Sequence, residues 1–406
     1  MLRLLSRLNP EGTMPDERPR RWTSRLLAGL TAGRAVVVRA VVVRAVIARV
    51  VSAVSVSAVC AAVVAAPVVV AAPAAHAAVP DTLGFALFTP VSVTLPDVWP
   101  AGTSVAAVAP GHYAVRFPGQ AARGGVVHVT AVNDTPHWCQ AEKWTTSGAD
   151  EIVYVACYKA GGTPDASGFS VLFTSSTGPL PPSPGPVPNR YGYVDAQASG
   201  LINSQYNSSG LANGVSHTAT GAWLVKLPGL GTPAPRAGSL QATAVNASVP
   251  AYCAVANWAS TASDQQVKVS CIDRGGSPLD TEFTLSYQYQ ASLYGGAYPP
   301  KYFGYVGNLL SIGPVAGPTD FNSVTGTASN TVTPLVVGQW LVTFPYLAQR
   351  PDNVQVTALA GRATFCALTQ PWVVSGADTV VKTVACYTVA GTPVDSPFLI
   401  SDNSAF

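Results

Sequence analysis

Gly111-His112-Tyr113-Ala114-Val115-Arg116-Phe117-Pro118 is met again as Gly221-Ala222-Trp223-Leu224-Val225-Lys226-Leu227-Pro228, and a third time as Gly338-Gln339-Trp340-Leu341-Val342-Thr343-Phe344-Pro345. The shared form is Gly-x-aromatic-x-Val-x-apolar-Pro. Its period of two is that of a half-buried strand, with the aromatic, the valine and the Phe/Leu facing inward. Proline cannot donate to a ladder and closes the strand. A threefold internal repeat is the first conclusion, and it organises everything else.

A second strand follows each copy. Val127, Val129 and Ala131 alternate with His128 and Thr130; Leu240, Ala242 and Ala244 with Gln241 and Thr243; Val354, Val356 and Ala358 with Gln355 and Thr357. The polar set is expected to face outward. Next come paired cysteines: Cys139/Cys157, Cys253/Cys271 and Cys366/Cys386. Each pair is centred on a turn-forming tetrad: Ser147-Gly148-Ala149-Asp150, Thr261-Ala262-Ser263-Asp264 and Ser375-Gly376-Ala377-Asp378. Residues equidistant from a hairpin turn face each other at a distance that a disulfide can bridge. Three bridges, one per copy, are predicted. Each copy ends in Gly-[Thr/Ser]-Pro, an Asp and a strand led by Phe169, Phe283 or Phe398.

Each copy opens on a short aromatic strand: Phe85–Phe88, Tyr191–Val194 and Tyr302–Val306. Counting these, a copy holds six or seven short strands in about 100 residues, which suits a small antiparallel sandwich or barrel. The predicted class is all-β, with copies at 78–178, 191–292 and 302–406. A proline-rich linker at 179–190 should be extended and semi-rigid. The connection at 293–301 is rich in Tyr, Gly and Pro. Beads on a string is the expected arrangement, with the second and third copies closer together.

Residues 1–77 form a leader with ten arginines and three acids, a balance of +7. Its Val/Ala stretch ends in Ala75-His76-Ala77, a small-x-small cleavage signature, so export and a mature start near Ala78 are expected. Either Met1 or Met14 can serve as the start, and an uncleaved membrane anchor is the alternative. Cys60 lacks a convincing lipobox. Residues 78–406 carry 13 bases and 17 acids, a balance of −4, which excludes a phosphate-neutralising basic patch. No nucleic-acid partner is expected, and the membrane enters only through the leader.

The motif set Gly-x-aromatic-x-Val-x-Phe-Pro, Gln-Val-Thr-Ala, Cys-x4-Trp, Val-x-Cys and Gly-x-Pro-x-Asp resembles repeat modules of secreted actinobacterial β-proteins of unknown function. The resemblance covers about residues 85 to 406. His128 replaces Gln in the first copy, and Cys366 to Trp372 is Cys-x5-Trp in the third. It implies export and repetition, and carries no activity.

No nucleophile elbow, His-Glu-x-x-His helix or P-loop occurs. His112, His128, His137 and His217 have no counterparts in the third copy, and they read as surface residues. Asp150, Asp264 and Asp378 recur, as do Asp165, Asp280 and Asp395. Both sets sit in turns, where Asp bonds its own backbone; calcium or a glycosidase carboxylate pair is the rival reading. Trp144 and Trp258 lie five residues after a cysteine. In a regular strand that offset points them away from the disulfide face. With Trp372 they are candidate stacking platforms, unless a bulge or loop covers them. Tyr287, Tyr289, Tyr294, Tyr298, Tyr302 and Tyr305 cluster where the second and third copies should pack. Neither a cofactor nor a metal is expected. The functional expectation is a secreted, non-enzymatic three-repeat protein that binds an extracellular protein or glycan, adheres, or builds the envelope. A glycan-directed hydrolase or carbohydrate-binding protein is the alternative.

Overall fold

The computed structural model describes residues 81–406, apart from 91, 93, 186, 297–299, 310–312, 315–317, 328 and 360–362. The leader, Cys60 and Tyr298 lie outside the described residues. The described residues form strands and no helix, 27 strands in all.

The glycine strands His112–Phe117, Ala222–Pro228 and Gln339–Phe344 alternate as expected. Tyr113, Val115 and Phe117 are buried, as are Trp223, Val225 and Leu227, and Trp340, Val342 and Phe344. Each glycine strand pairs on one side with Ser104–Ala109, Gly214–Ala219 or Thr331–Val336; the first two are sheet edges, while Gly313–Pro314 pairs with Thr331 and Val332 on the far side of the third. On the other side it pairs with the second arm of a cysteine hairpin. The leading glycine has a specific cause. Gly111, Gly221 and Gly338 have φ of 75°, 67° and 75°, and a Cβ there would meet the carbonyl oxygen of Cys157, Cys271 or Cys386 at 2.5–2.9 Å. Only glycine combines that conformation with that approach.

The remaining strands of each copy form a second antiparallel set. The closing strand lies between the opening and inner strands: Gly168–Ser175 between Thr82–Phe88 and Val126–Val132, Glu282–Tyr289 between Arg190–Ala196 and Ser239–Val245, Phe398–Ser404 between Phe303–Asn308 and Asp352–Ala358. Apolar side chains of the two sets meet as one core. In the first copy it holds Tyr113, Phe117, Val129, Val155, Phe169, Phe173 and the disulfide.

All three disulfides form as predicted. Cys139 faces Cys157, Cys253 faces Cys271 and Cys366 faces Cys386, each with Cα atoms 4.1 Å apart. Replacing Cys253 and Cys271 together with Ala is expected to cost about 3 kcal/mol in the loop-entropy model. Equilibrium urea denaturation measures the loss, and a change under about 1 kcal/mol would contradict that account.

The copies are not beads. Ala141, Val255 and Leu368 each lie two residues after the first cysteine of a pair. Ala141 pairs in parallel with Val245 of the second copy, Val255 with Leu359 of the third, and Leu368 with Val132 of the first. The three bridges join equivalent positions and close a ring. Main-chain bonds reinforce two of them: Asn246 N donates to Ala141 O (2.9 Å) and Asn133 N to Leu368 O (2.8 Å).

The ring explains the largest departure from expectation, the inner strands. Their polar faces were expected outside, yet all seven residues of each strand are buried. Thr243 Oγ1 accepts from Val129 N (3.2 Å) and Thr130 Oγ1 from Val356 N (2.9 Å), while Thr357 Oγ1 donates to Ala242 O (3.3 Å). Each threonine thus bonds the preceding copy around the ring. His128 lies 2.7 Å from Ser286 Oγ and 3.3 Å from Thr243 Oγ1. Burial holds its imidazole pKa down to about 3, so it is a neutral bridge between copies.

A second contact surface comes from the residue before each first cysteine. Trp138, Tyr252 and Phe365 point away from the disulfides and toward one another. The Trp138 and Phe365 rings lie 5.3 Å apart, those of Tyr252 and Phe365 6.0 Å. Tyr158 and Tyr387 complete the cluster. A void of about 10 Å³ there is lined from all three copies and touches Cys139, Cys253 and Cys366.

The proline-rich linker is no free spacer either. Asn189 Nδ2 donates to Pro181 O within it (2.8 Å), and Leu180 packs against Tyr191, Tyr193 and Ala291, so it lies against the second copy. Tyr294 stacks on Phe85 of the first copy (5.8 Å, 7°) and donates to Asn403 O of the third. The tyrosine-rich connection therefore ties three copies, not two.

Candidate functional site

The three tryptophans are not exposed platforms. The ladder of the first hairpin slips between Ala141 and Lys143, and that of the second between Val255 and Asn257. One extra residue, Glu142 or Ala256, reverses the side-chain parity beyond it. Trp144 and Trp258 thus return to the disulfide face, opposite Val153 and Val267. Trp258 is buried, and Trp144 is half-buried with its Nε1 donating to Gly124 O (2.8 Å). Trp372 is buried in an irregular segment, its Nε1 donating to Asp352 Oδ1 (2.7 Å).

The recurring aspartates sit in turns but, apart from an Ala166 N bond to Asp165, do not bond their own turn backbone as expected; they reach the start or the end of the glycine strand, 31 to 59 residues away. Asp150, Asp264 and Asp378 accept from Gly119 N, Gly229 N and Tyr346 N, which fastens each hairpin turn to the chain after the glycine strand. Asp280 and Asp395 accept from Gly221 N and Gly338 N at 2.7 Å, fixing the strained glycines. Asp165 instead faces His137 Nε2 at 3.3 Å. Two histidines are not surface residues: His128 and His137 are buried. His112 pairs with Glu142 (2.9 Å) and His217 with Asp280 (2.8 Å).

The concentrated chemistry lies elsewhere, where the first copy meets the third. Asp97 stands on the short strand Asp97–Trp99, which covers the edge of Thr82–Phe88. Arg350 Nη1 donates to its Oδ2 (2.6 Å), and Nη2 donates to Trp372 O (2.8 Å). Asp352 N reaches Asp97 Oδ1 at 3.4 Å. Asp402, opposite Val354 on the closing strand, completes the group. All three carboxyl groups are at most 1% exposed. Asp352 Oδ2 and both Asp402 carboxyl oxygens have no hydrogen-bond partner.

Three buried acids share one guanidinium, so the site favours protons. Burial pushes the Asp402 carboxyl up to about 7. Burial and the charges of Asp402 and Asp97 drive Asp352 well above the usual carboxylate range. Burial also raises Asp97, with Arg350 opposing it. Among the described residues, no group of three or more His, Cys, Asp or Glu has the geometry to hold a metal ion.

Sequence reasoning missed these residues, although a signal existed. Asp402 stands where the other copies have Phe173 and Tyr287, as the common register opposite Val127, Leu240 and Val354 shows. An acid at a core position of one copy marks a private feature. Two more occur. Glu151, lifted to about 7 by burial, has Gln265 and Thr379 as counterparts, opposite Phe117, Leu227 and Phe344. Asp195, raised to about 8 by burial and then by Glu282, follows Val194, whose counterparts Ala86 and Val306 are followed by Leu87 and Gly307.

The chain matches no protein-family model, no curated protein and no solved structure. Three buried disulfides are the chemistry of an oxidising compartment, in keeping with export.

Proposed function

We propose that the chain is exported and works outside the cell as a rigid, non-enzymatic binding or envelope-building unit. It belongs with the secreted repeat modules that its motifs resemble. The supporting observation is where the ring leaves its uncommitted backbone. The edge strands Ser104–Ala109 and Gly214–Ala219 are almost wholly exposed, and Thr331–Val336, paired with Gly313–Pro314 at its first two residues, is exposed over its last four. None of the three carries an acid, lysine or arginine. Sheet edges are ordinarily blunted with charge or cover, and an unblunted edge takes up an extended partner through main-chain bonds. Two such edges, and the uncovered end of a third strand, on one rigid body favour multivalent attachment. An extended polypeptide fits them better than a glycan, because the tryptophans that would stack on sugars are turned inward.

The test is a binding panel with the full exported chain, using immobilised envelope polypeptides and glycans at two salt concentrations. Polypeptide binding is expected to vary little with salt. It should fall at least tenfold in the double variant Val108→Lys, Val336→Lys, whose sites are 57% and 63% exposed and so are tolerant of charge. Binding to glycans alone, or unchanged polypeptide binding by the variant, would overturn the reading. Turnover of an ester, peptide or glycoside substrate would favour the hydrolase alternative.

A further inference from the structure

We propose that Asp97, Asp352 and Asp402, with Arg350, form a proton-held lock that seats the Asp97–Trp99 strand of the first copy on the third copy and releases it as the solution turns alkaline. The geometry requires protons. Asp97 has a guanidinium against it at 2.6 Å, whereas Asp352 Oδ2 and the Asp402 oxygens make no ion pair and no hydrogen bond of good geometry. An unpaired buried carboxylate is costly, and protonation is its ordinary escape. The groups facing the acids are identifiable on each packed element. Arg350 supplies the single cation, and Trp372 donates from the irregular segment. The Thr379 hydroxyl faces Asp402 from the hairpin. Tyr294 contributes a phenol from the connection, itself held neutral by burial and these same acids.

The sign follows from the raised carboxyl pKa values. A carboxyl with a higher pKa in the closed state than in the open one favours closure fully below its ordinary value near 4, and loses that contribution as pH rises through its closed value. For Asp402 the window runs from about 4 to about 7. Opening would expose the main-chain edge of Thr82–Phe88 that Asp97–Trp99 now covers. The lock would thus give a sheet edge that is available only in alkaline surroundings. It does not depend on the edge strands invoked above.

Hydrogen exchange followed by mass spectrometry on the full exported chain tests this, with rates corrected for intrinsic base catalysis. The opening constant reported by the Asp97–Trp99 and Asp402–Ser404 amides is expected to rise about a hundredfold between pH 5 and pH 8 from Asp402 alone. The glycine strand Ala222–Pro228 of the second copy should not change. Asp402→Asn should remove that hundredfold. Arg350→Gln, which deletes the only cation, should move the transition to higher pH. Equal protection at both pH values, full pH dependence in Asp402→Asn, or equal loss in Ala222–Pro228 would each overturn the lock.

Discussion

Residues 78–178 produced alone in an oxidising compartment are expected not to fold, even with the Cys139–Cys157 bridge formed. The segment has its own strands and its own apolar core, which on sequence grounds made it a self-sufficient domain. The ring removes that sufficiency. Isolated, the first copy loses Phe365 from Trp138, Thr243 and Ser286 from His128, Tyr294 from Phe85, and the Val132–Leu368 bridge. Newly exposed core side chains cost about 1.5–3 kcal/mol each. Three or four such losses consume most of the roughly 5–15 kcal/mol that holds a domain together. Circular dichroism should show a disordered chain with no cooperative melt, and mixing with residues 191–406 should restore strand signal. A cooperative melt of the isolated segment would show the copies to be independent.

The second large effect is expected at Trp138, 3% exposed and packed at a tilt against Tyr158 of its own copy and Phe365 of the third. Trp138→Ala should cost about 3–5 kcal/mol, the range for truncating a buried aromatic. Because the cavity opens between copies, the loss should appear as one earlier transition of the whole ring, not as early melting of the first copy. Trp138→Phe should be far milder. It keeps an aromatic ring against Tyr158 and Phe365 and removes an indole N–H that is buried without a partner. Calorimetry of both variants separates these outcomes. A local first-copy transition in Trp138→Ala would contradict the shared centre.

Both expectations turn on what a repeated motif can tell. The period of two in Gly338–Pro345 was sufficient to orient Trp340, Val342 and Phe344, because strand pleat is a local property of the chain. The turn-centred cysteines were equally legible, since a hairpin ladder fixes which residues face each other. The bulges at Glu142 and Ala256 were not. A bulge changes parity through one backbone irregularity, and nothing in Ala-Glu-Lys or Val-Ala-Asn announces it. The candidate platforms Trp144 and Trp258 therefore pointed the wrong way on paper.

The sequence by itself determined the three copies, and within each the strand faces of the glycine motif and the disulfide pairs, which are effects of neighbours within about 25 residues; the recurring aspartates were legible as turn residues, but their partners 31 to 59 residues away were not. Tertiary structure alone decided what lies against the inner strands. Alternation of Val with Thr and Gln says that one face is polar, but a polar face satisfied by water and one satisfied by another copy look alike in a single chain. One clue was there: Arg116 and Lys226 mark the solvent side of the glycine strands, whereas His128, Thr130, Gln241, Thr243, Gln355 and Thr357 carry no fixed charge. Uncharged donors and acceptors can be buried at small cost once paired across an interface, while a lysine cannot. The acid lock had no local signature beyond an aspartate in place of an aromatic. Asp97 lies about 250 to 300 residues from its other members in sequence, and only closure of the ring sets it beside Arg350 and shuts out the water that would have kept these carboxyls ionised.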